Sequence, residues 1–174
     1  YFQENPFLIK FYLMKEIKMN NGMITIVDDS DYLFLSKFKW VCRKSKNTYY
    51  ACTTVRYKGE RSEVRMHRAI MNVIGDGAII DHKDRDGLNN QRSNLRIANT
   101  SENGSNRQPS KSGTSKFLGV CLDKGAKKKK WIAQIKKGGV VVKLGRYEFE
   151  HEAAIAYDNK AKELHGEFAN LNFK

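Results

Sequence analysis

Short apolar runs broken by polar residues follow one another along the chain, and their periods predict alternating short strands and helices. Met23-Ile-Thr-Ile-Val27 is apolar and rich in β-branched residues, which predicts a strand. Asp28 to Phe38 carries Tyr32, Leu35 and Phe38 at helical spacing, with an Asp or Ser30 as the expected N-cap. Trp40 to Arg43 and Thr48 to Tyr57 predict two strands of a hairpin that turns at Ser45-Lys-Asn47, and Arg65 to Val73 predicts a second short helix. Ile79-Ile80 opens another strand, Leu95 and Ile97 mark its return, and Thr100 or Ser101 is placed to cap a short helix that carries Asn103. Further on, Phe117 to Leu122, Trp131 to Lys136 and Val140 to Gly145 read as strands, the last two joined at Gly138-Gly139. Glu150 to His165 places Ala153, Ala154, Tyr157, Ala161 and Leu164 on one helical stripe, with Gly166 as the stop. The expected fold class is α+β: mixed strands and helices first, then a three-stranded antiparallel sheet covered on one face by one helix. The open face is expected to be the one bearing Gln134 and Lys136.

Composition divides this string into parts. Residues 1–13 read as a leader of uncertain origin, with Tyr1-Phe2-Gln3 as the remnant of a protease-site linker and Met14 as a candidate natural start. Residues 14–106 form one expected domain, 107–116 a basic flexible linker within a Ser-, Gly- and Asn-rich segment over 104–115, and 117–174 a second domain. No run of about 18 apolar residues is present, and Phe7 to Leu13 is too short and irregular for a secretory signal. Cys42, Cys52 and Cys121 are odd in number and form no C-x-x-C pair, which argues against both structural zinc and a disulfide scaffold. The expected setting is the cytoplasm of a bacterial or phage-infected cell.

Charge adds a partner. The formal net charge is +13. Between Arg107 and Arg146 there are 12 Lys and Arg against Asp123 alone, so this stretch carries +11, whereas residues 147–174 are net acidic. A solvated surface mixes its signs, so this concentration points to a polyanion. Double-stranded DNA is the expected partner. An anionic membrane is the weaker reading, because no apolar amphipathic face accompanies the charge.

The segment Ile79-Ile-Asp-His-Lys-Asp-Arg-Asp-Gly-Leu-Asn-Asn90, followed by Ser93-Asn-Leu-Arg-Ile-Ala98 and Thr100-Ser-Glu-Asn103, brings chemistry. A strand delivers an Asp-His pair, a polar turn follows, and a return strand leads into a helix. Hydrolysis of a phosphodiester needs an activated water and a cation to offset developing charge. A neutral imidazole accepts a proton near neutral pH, and a hard cation takes a carboxylate plus another oxygen. Asp84, Asp86, Asn89, Asn90 and Asn99 read as turn formers.

These residues resemble the HNH nuclease motif in its zinc-free form, found in phage and intron-encoded homing endonucleases. His82, Asn94 twelve residues on and Asn103 nine further match its three positions, and Asp81 matches the acid before the first His. The resemblance implies a strand–strand–helix metal finger. It also implies that His82 is the general base, that Asp81 and Asn103 hold one Mg²⁺ or Mn²⁺, and that Asn94 braces the loop that aims the His82 ring. His67, in Met66-His-Arg68, is assigned a structural or phosphate-side role.

Residues 117–173 resemble the plant ethylene-response-factor (Apetala-type) DNA-binding domain through Gly119-Val120, Trp131-x-Ala133-x-Ile135, Leu144-Gly145-x-Tyr147, Glu152-Ala-Ala154, Ala156-Tyr-Asp158, Ala161, Gly166 and Asn172-Phe173. The resemblance implies DNA-facing positions at Leu118, Cys121, Asp123, Gln134, Lys136, Val141 and Lys143. Leu118, Cys121 and Val141 stand where the plant pattern has arginine, and Lys143 stands where it has an aromatic, so the plant target sequence does not carry over. Gln134 retains the groups to read adenine. Lys127, Lys128, Lys129, Lys130 and Arg146 are further expected DNA contacts.

Together these readings predict a metal-dependent homing-type endonuclease that nicks duplex DNA as a monomer or weak dimer. The rivals are a DNA-binding regulator with an inactive nuclease module and, less favoured, an RNA-binding protein.

Overall fold

The computed structural model describes residues 14–73, 77–106 and 113–173. The leader expected over 1–13 and residues 107–112 of the expected linker lie outside the described residues. The architecture is mixed α+β, built from several small antiparallel sheets and four α-helices among the described residues. The chain divides into two compact units, Tyr1–Ile97 and Ala98–Lys174. No described helix is long and apolar enough to cross a membrane.

In the first unit, β1 (Met14–Lys18) pairs antiparallel with β2 (Ile24–Asp28). Helix α1 (Asp29–Leu35) follows at once. Asp28 is its N-cap, yet its carboxylate makes no capping bond; Oδ2 instead accepts from the Arg92 backbone N–H at 2.8 Å and Oδ1 from Gln91 Nε2 at 3.4 Å. A side-chain cap was expected here, but the later loop takes the acceptor. Strands β3 (Val41–Lys44), β4 (Tyr49–Tyr57) and β5 (Glu60–Arg65) make a second sheet in that order. Lys58 and Gly59 close its second hairpin with φ of 49° and 86°, the positive values that a two-residue hairpin turn needs. Strand β5 was not anticipated: only Val64 is apolar in Glu-Arg-Ser-Glu-Val-Arg, so no alternation announces it. Helix α2 (Met66–Ile70), shorter than expected, leads toward the paired strands β6 (Ile79–His82) and β7 (Leu95–Ala98). Val27, Leu35 and Met66 are fully buried, and Trp40, Ile70, Ile80, Leu88 and Leu95 pack with them. Burial of each such side chain stabilises the fold by about 1.5–3 kcal/mol.

The second unit opens with α3 (Thr100–Ser105). Its start is a capping box: Asn99 Oδ1 accepts from Glu102 N at 2.9 Å while Glu102 Oε2 accepts from Asn99 N at 2.7 Å. The cap is therefore Asn99 rather than Thr100 or Ser101, because only Asn99 sits three residues before a glutamate that returns the bond. Strands β8 (Val120–Leu122), β9 (Trp131–Lys137) and β10 (Val140–Tyr147) form the antiparallel sheet order β10-β9-β8, and α4 (Glu150–His165) covers one face. Ala133, Ala153, Ala154 and Ala161 are fully buried, so helix and sheet meet at small residues. Gly119 has φ of 68°, and a Cβ there would overlap the Tyr157 ring and the Gln134 carbonyl. Buried Asp158 accepts from the backbone N–H groups of Asn172 and Phe173 at 2.9 Å each, tying the chain end to the helix.

Candidate functional site

Strand β6 ends on Asp81 and His82, both nearly excluded from solvent, at 6% and 5% exposure. Asp81 Oδ2 accepts from Arg96 on β7, through Nε at 2.9 Å and the terminal nitrogen at 2.7 Å, and both side chains of this ion pair are buried. His82 Nε2 lies 3.2 Å from Oδ1 of Asn90, which is itself fully buried.

Hydrogen-bond accounting fixes the imidazole. Thr25 Oγ1 directs its proton to the Leu88 carbonyl at 2.7 Å, so it accepts from Asn90 Nδ2 at 2.8 Å. The Asn90 amide oxygen therefore faces His82 as an acceptor, and Nε2 carries the proton. The neutral ring then has its lone pair on Nδ1. Strand β2 holds this relay in place, because Ile26 bonds the backbone on both sides of Asn89: its N–H donates to Leu88 O and its carbonyl accepts from Asn90 N.

The turn between β6 and β7 is stapled by Asn94. Its Nδ2 donates to Asp84 Oδ1 at 2.9 Å and to the Asn89 carbonyl at 2.8 Å, and its Oδ1 accepts from Asp84 N at 3.1 Å. Asp84 Oδ2 also accepts from Asn89 Nδ2, and Asp86 Oδ1 from Leu88 N, so these residues shape the turn as expected. Arg85, between Asp84 and Asp86, has φ of 69° and a buried Nε with no hydrogen-bond partner among the described residues. Gly87 is required by packing, since a Cβ there would overlap the Tyr49 carbonyl and the Tyr50 ring.

An aromatic wall backs the ring of His82. His67 meets it edge-on with centroids 5.1 Å apart, and Tyr50 touches both rings, at 5.3 Å from His67 and 5.9 Å from His82. Burial is the main cause that holds His82 below the usual imidazole range, while the Asn90 hydrogen bond and Asp84, Asp81 and Asp86 oppose it. Burial, reinforced by His82 and the flanking arginines Arg65 and Arg68, lowers His67 to about 3. His67 is thus a neutral structural ring at physiological pH.

In the second unit Gln134, Lys136, Lys143 and Arg146 lie on the face of the sheet away from α4. Register pairs Gln134 with Lys143, Lys136 with Val141 and Ile132 with Arg146. Lys143 and Arg146 are three apart and would lie on opposite faces of a regular strand; the bulge between Lys143 and Gly145 brings them to the same one. Leu144, the extra residue, turns into the core. Lys127, Lys128, Lys129 and Lys130 are exposed on the loop before β9. Arg146 binds Asp123 at 2.6 Å, which engages two expected contacts with each other. Leu118 departs from expectation: it is buried against Ile135, Tyr157 and Ala161 and so belongs to the core, where an apolar side chain is favoured.

The model of the HNH endonuclease family matches residues 69–105, which span Asp81, His82, Asn94 and Asn103. Over 158 residues the chain is 30% identical to an uncharacterized HNH endonuclease, L560, of Acanthamoeba polyphaga mimivirus, covering 87% of this chain and 75% of that one. The chain belongs to the HNH endonuclease family. It is also 31% identical over 115 residues to protein 3.8 of Escherichia phage T7, covering 66% of this chain and 93% of that protein. A third likeness, to dehydration-responsive element-binding protein 2C of Arabidopsis thaliana, is 39% identity over 59 residues, 31% of this chain and 17% of that protein.

Three of the four HNH positions, Asp81, His82 and Asn94, lie on β6 and on the turn that leads into β7. The fourth, Asn103, is exposed on α3 in the second unit. Among the described residues no group of three or more His, Cys, Asp and Glu could hold a metal ion. A carboxylate and an amide oxygen nevertheless suit a hard cation that completes its shell with water and phosphate oxygens. Sequence reasoning missed Arg96 as the partner of Asp81, and it read Asn90 only as a turn former. The adjacent Asn89-Asn90 pair was visible, but the partner that gives Asn90 its task, Thr25, is 65 residues away.

Proposed function

We propose that this protein is a metal-dependent endonuclease that nicks duplex DNA. His82 acts as general base, Asp81 and Asn103 are the residues that would hold one Mg²⁺ or Mn²⁺, and Asn94 braces the turn after β6. The observation that carries this reading is the Thr25–Asn90–His82 relay at the family's catalytic position. It presents a neutral imidazole with its basic nitrogen at Nδ1, one residue along the strand from a buried carboxylate. Nδ1 takes a proton from water, the water oxygen bonds to phosphorus, and the bond to the 3′ oxygen breaks, leaving a 5′-phosphate and a 3′-hydroxyl after that oxygen is protonated. A bound cation supplies charge stabilisation for the phosphate and the leaving oxygen.

Residues 117–174 act in this proposal as an Apetala-type DNA-reading domain joined to the nuclease by the linker 107–116. Gln134 and Lys143 lie on the open face, flanked by Lys136 and Arg146, and the lysines 127–130 contact phosphates. The likeness to an element-binding protein and the open basic sheet support this.

One observation favours a second reading. Arg96 already holds Asp81, which would suit a DNA-binding regulator with an inactive nuclease module. Supercoiled plasmid with magnesium or manganese separates the two. The wild type is expected to convert plasmid to nicked circle, His82→Ala to lose at least about 100-fold in rate, and chelation to stop the reaction. Equal persistence of supercoiled DNA with both proteins would overturn the nuclease reading.

A further inference from the structure

The sheet β3-β4-β5 carries a set of arginines that the proposed nuclease site does not use. Side chains alternate across a strand, so Tyr50, Cys52, Thr54 and Arg56 share one face of β4. Register sets Arg43 opposite Tyr50, Arg65 opposite Cys52, Glu63 opposite Thr54 and Arg61 opposite Arg56. This face thus holds four arginines and one acid, and the contacts agree with the register. Arg65 stands over the Tyr50 ring at 5.0 Å, and Arg43 reaches Glu63 at 3.4 Å. Glu63 is therefore engaged at the Tyr50 end. At the far end Arg56 and Arg61 are exposed, and neither has an ion-pair or hydrogen-bond partner among the described residues.

Two guanidinium groups directly opposite each other on a sheet repel, which costs stability unless an anion lies between them. Tyr50, at the other end, touches His82. From Tyr50 to Arg56 the strand rises about 20 Å, the axial length of about six base pairs at 3.4 Å per phosphate on each strand. Arg65, Arg56 and Arg61 thus mark a line of positive charge that starts one ring away from His82 and runs along the sheet. We propose that this face is a second DNA-binding surface, on which Arg65, Arg56 and Arg61 grip the phosphate backbone of the duplex flanking the cleavage position. It rests on the nuclease reading above and adds a contact surface within the first unit, separate from the basic sheet of the second.

The test is equilibrium binding of the full chain to a labelled duplex of arbitrary sequence, in chelator, across a salt series, with plasmid nicking measured in parallel. Arg56→Ala/Arg61→Ala is expected to bind about tenfold more weakly at low salt and to flatten the log–log salt slope by about 1.8, two phosphate contacts at 0.9 each. Its thermal midpoint is expected to be unchanged or higher, because the cross-strand repulsion is gone. Lys37→Ala/Lys39→Ala removes the same charge outside this sheet and is expected to bind as wild type. Wild-type affinity and slope in the arginine variant would overturn the inference, and so would an equal loss in the lysine variant. Either result leaves the nuclease reading standing if nicking still depends on His82. A wild-type chain that binds no duplex overturns both.

Discussion

Replacing Asn90 with leucine tests the relay most directly. Leucine has a similar volume, so packing is nearly conserved while both amide functions disappear. The two shortest side-chain bonds of Asn90 are then lost, leaving the His82 Nε2 proton, bound at 3.2 Å, and the lone pair of Thr25 Oγ1, bound at 2.8 Å, without partners, besides the longer bond to the Gly87 carbonyl at 3.4 Å. Each unsatisfied buried group costs about 1–3 kcal/mol, so Asn90→Leu is expected to lower unfolding stability by about 2–6 kcal/mol. Thr25→Val removes the other end of the relay. If the three residues act as a unit, the double variant is less destabilised than the sum of the singles, with a coupling of about 0.5–3 kcal/mol. Urea unfolding of the four proteins measures this. Nitrogen NMR of the His82 ring reads the second consequence: the wild type is expected to show the proton on Nε2, and Asn90→Leu a mixture of tautomers with slower nicking. A loss below about 0.5 kcal/mol, additive behaviour, or an unchanged tautomer would refute the hydrogen-bond accounting.

Acid should destabilise the fold through its buried histidines. The His67 ring titrates at about 3 when folded and at about 6.5 when unfolded, so the unfolded chain gains its proton first. That stability is present above pH 6.5 and is lost as pH falls toward 3, by about 1.4 kcal/mol per pH unit, or about 2 kcal/mol at pH 5. Urea midpoints at pH 7 and 5 check this, and His67→Phe should reduce the difference; equal sensitivity in both proteins would contradict it. Gly119→Ala should lower the thermal midpoint of the second unit by several degrees, since the new methyl meets Tyr157 and a carbonyl at a φ that L residues avoid. Calorimetry would expose an error if Gly119→Ala melted as the wild type does.

The elements that sequence announced well are those whose periods reflect one buried face. The α4 stripe, the Trp131–Ala133–Ile135 alternation and the Gly138-Gly139 turn emerged where expected, because each depends on neighbours only a few positions away. Strand β5 was hidden by its polarity: it is held by backbone pairing to β4 rather than by burial. The Asp81-His82 position was legible as a dipeptide at a strand end, and Asn94 through its spacing. The partners Arg96, Asn90 and Tyr50 were not, because hydrogen-bond and ring partners on separate elements leave no periodic trace. Asp28 shows the same limit, since a helix start was visible but not the loop that claims its carboxylate.

The bulge at Leu144 has a consequence for how this chain can change over generations. Lys143 and Arg146 share a face because one residue is looped out between them. Point substitutions at either position would alter a single contact and leave the rest of the sheet in phase. Deletion of the extra residue, Leu144, would leave Lys143 and Arg146 two apart and still on one face of a regular strand, at the cost of the apolar contacts that Leu144 makes in the core. Diversity in what this surface recognises can therefore accumulate by exchange of side chains, while changes of length are absorbed at the bulge and in the lysine loop before β9, where neither shifts the register of the paired residues.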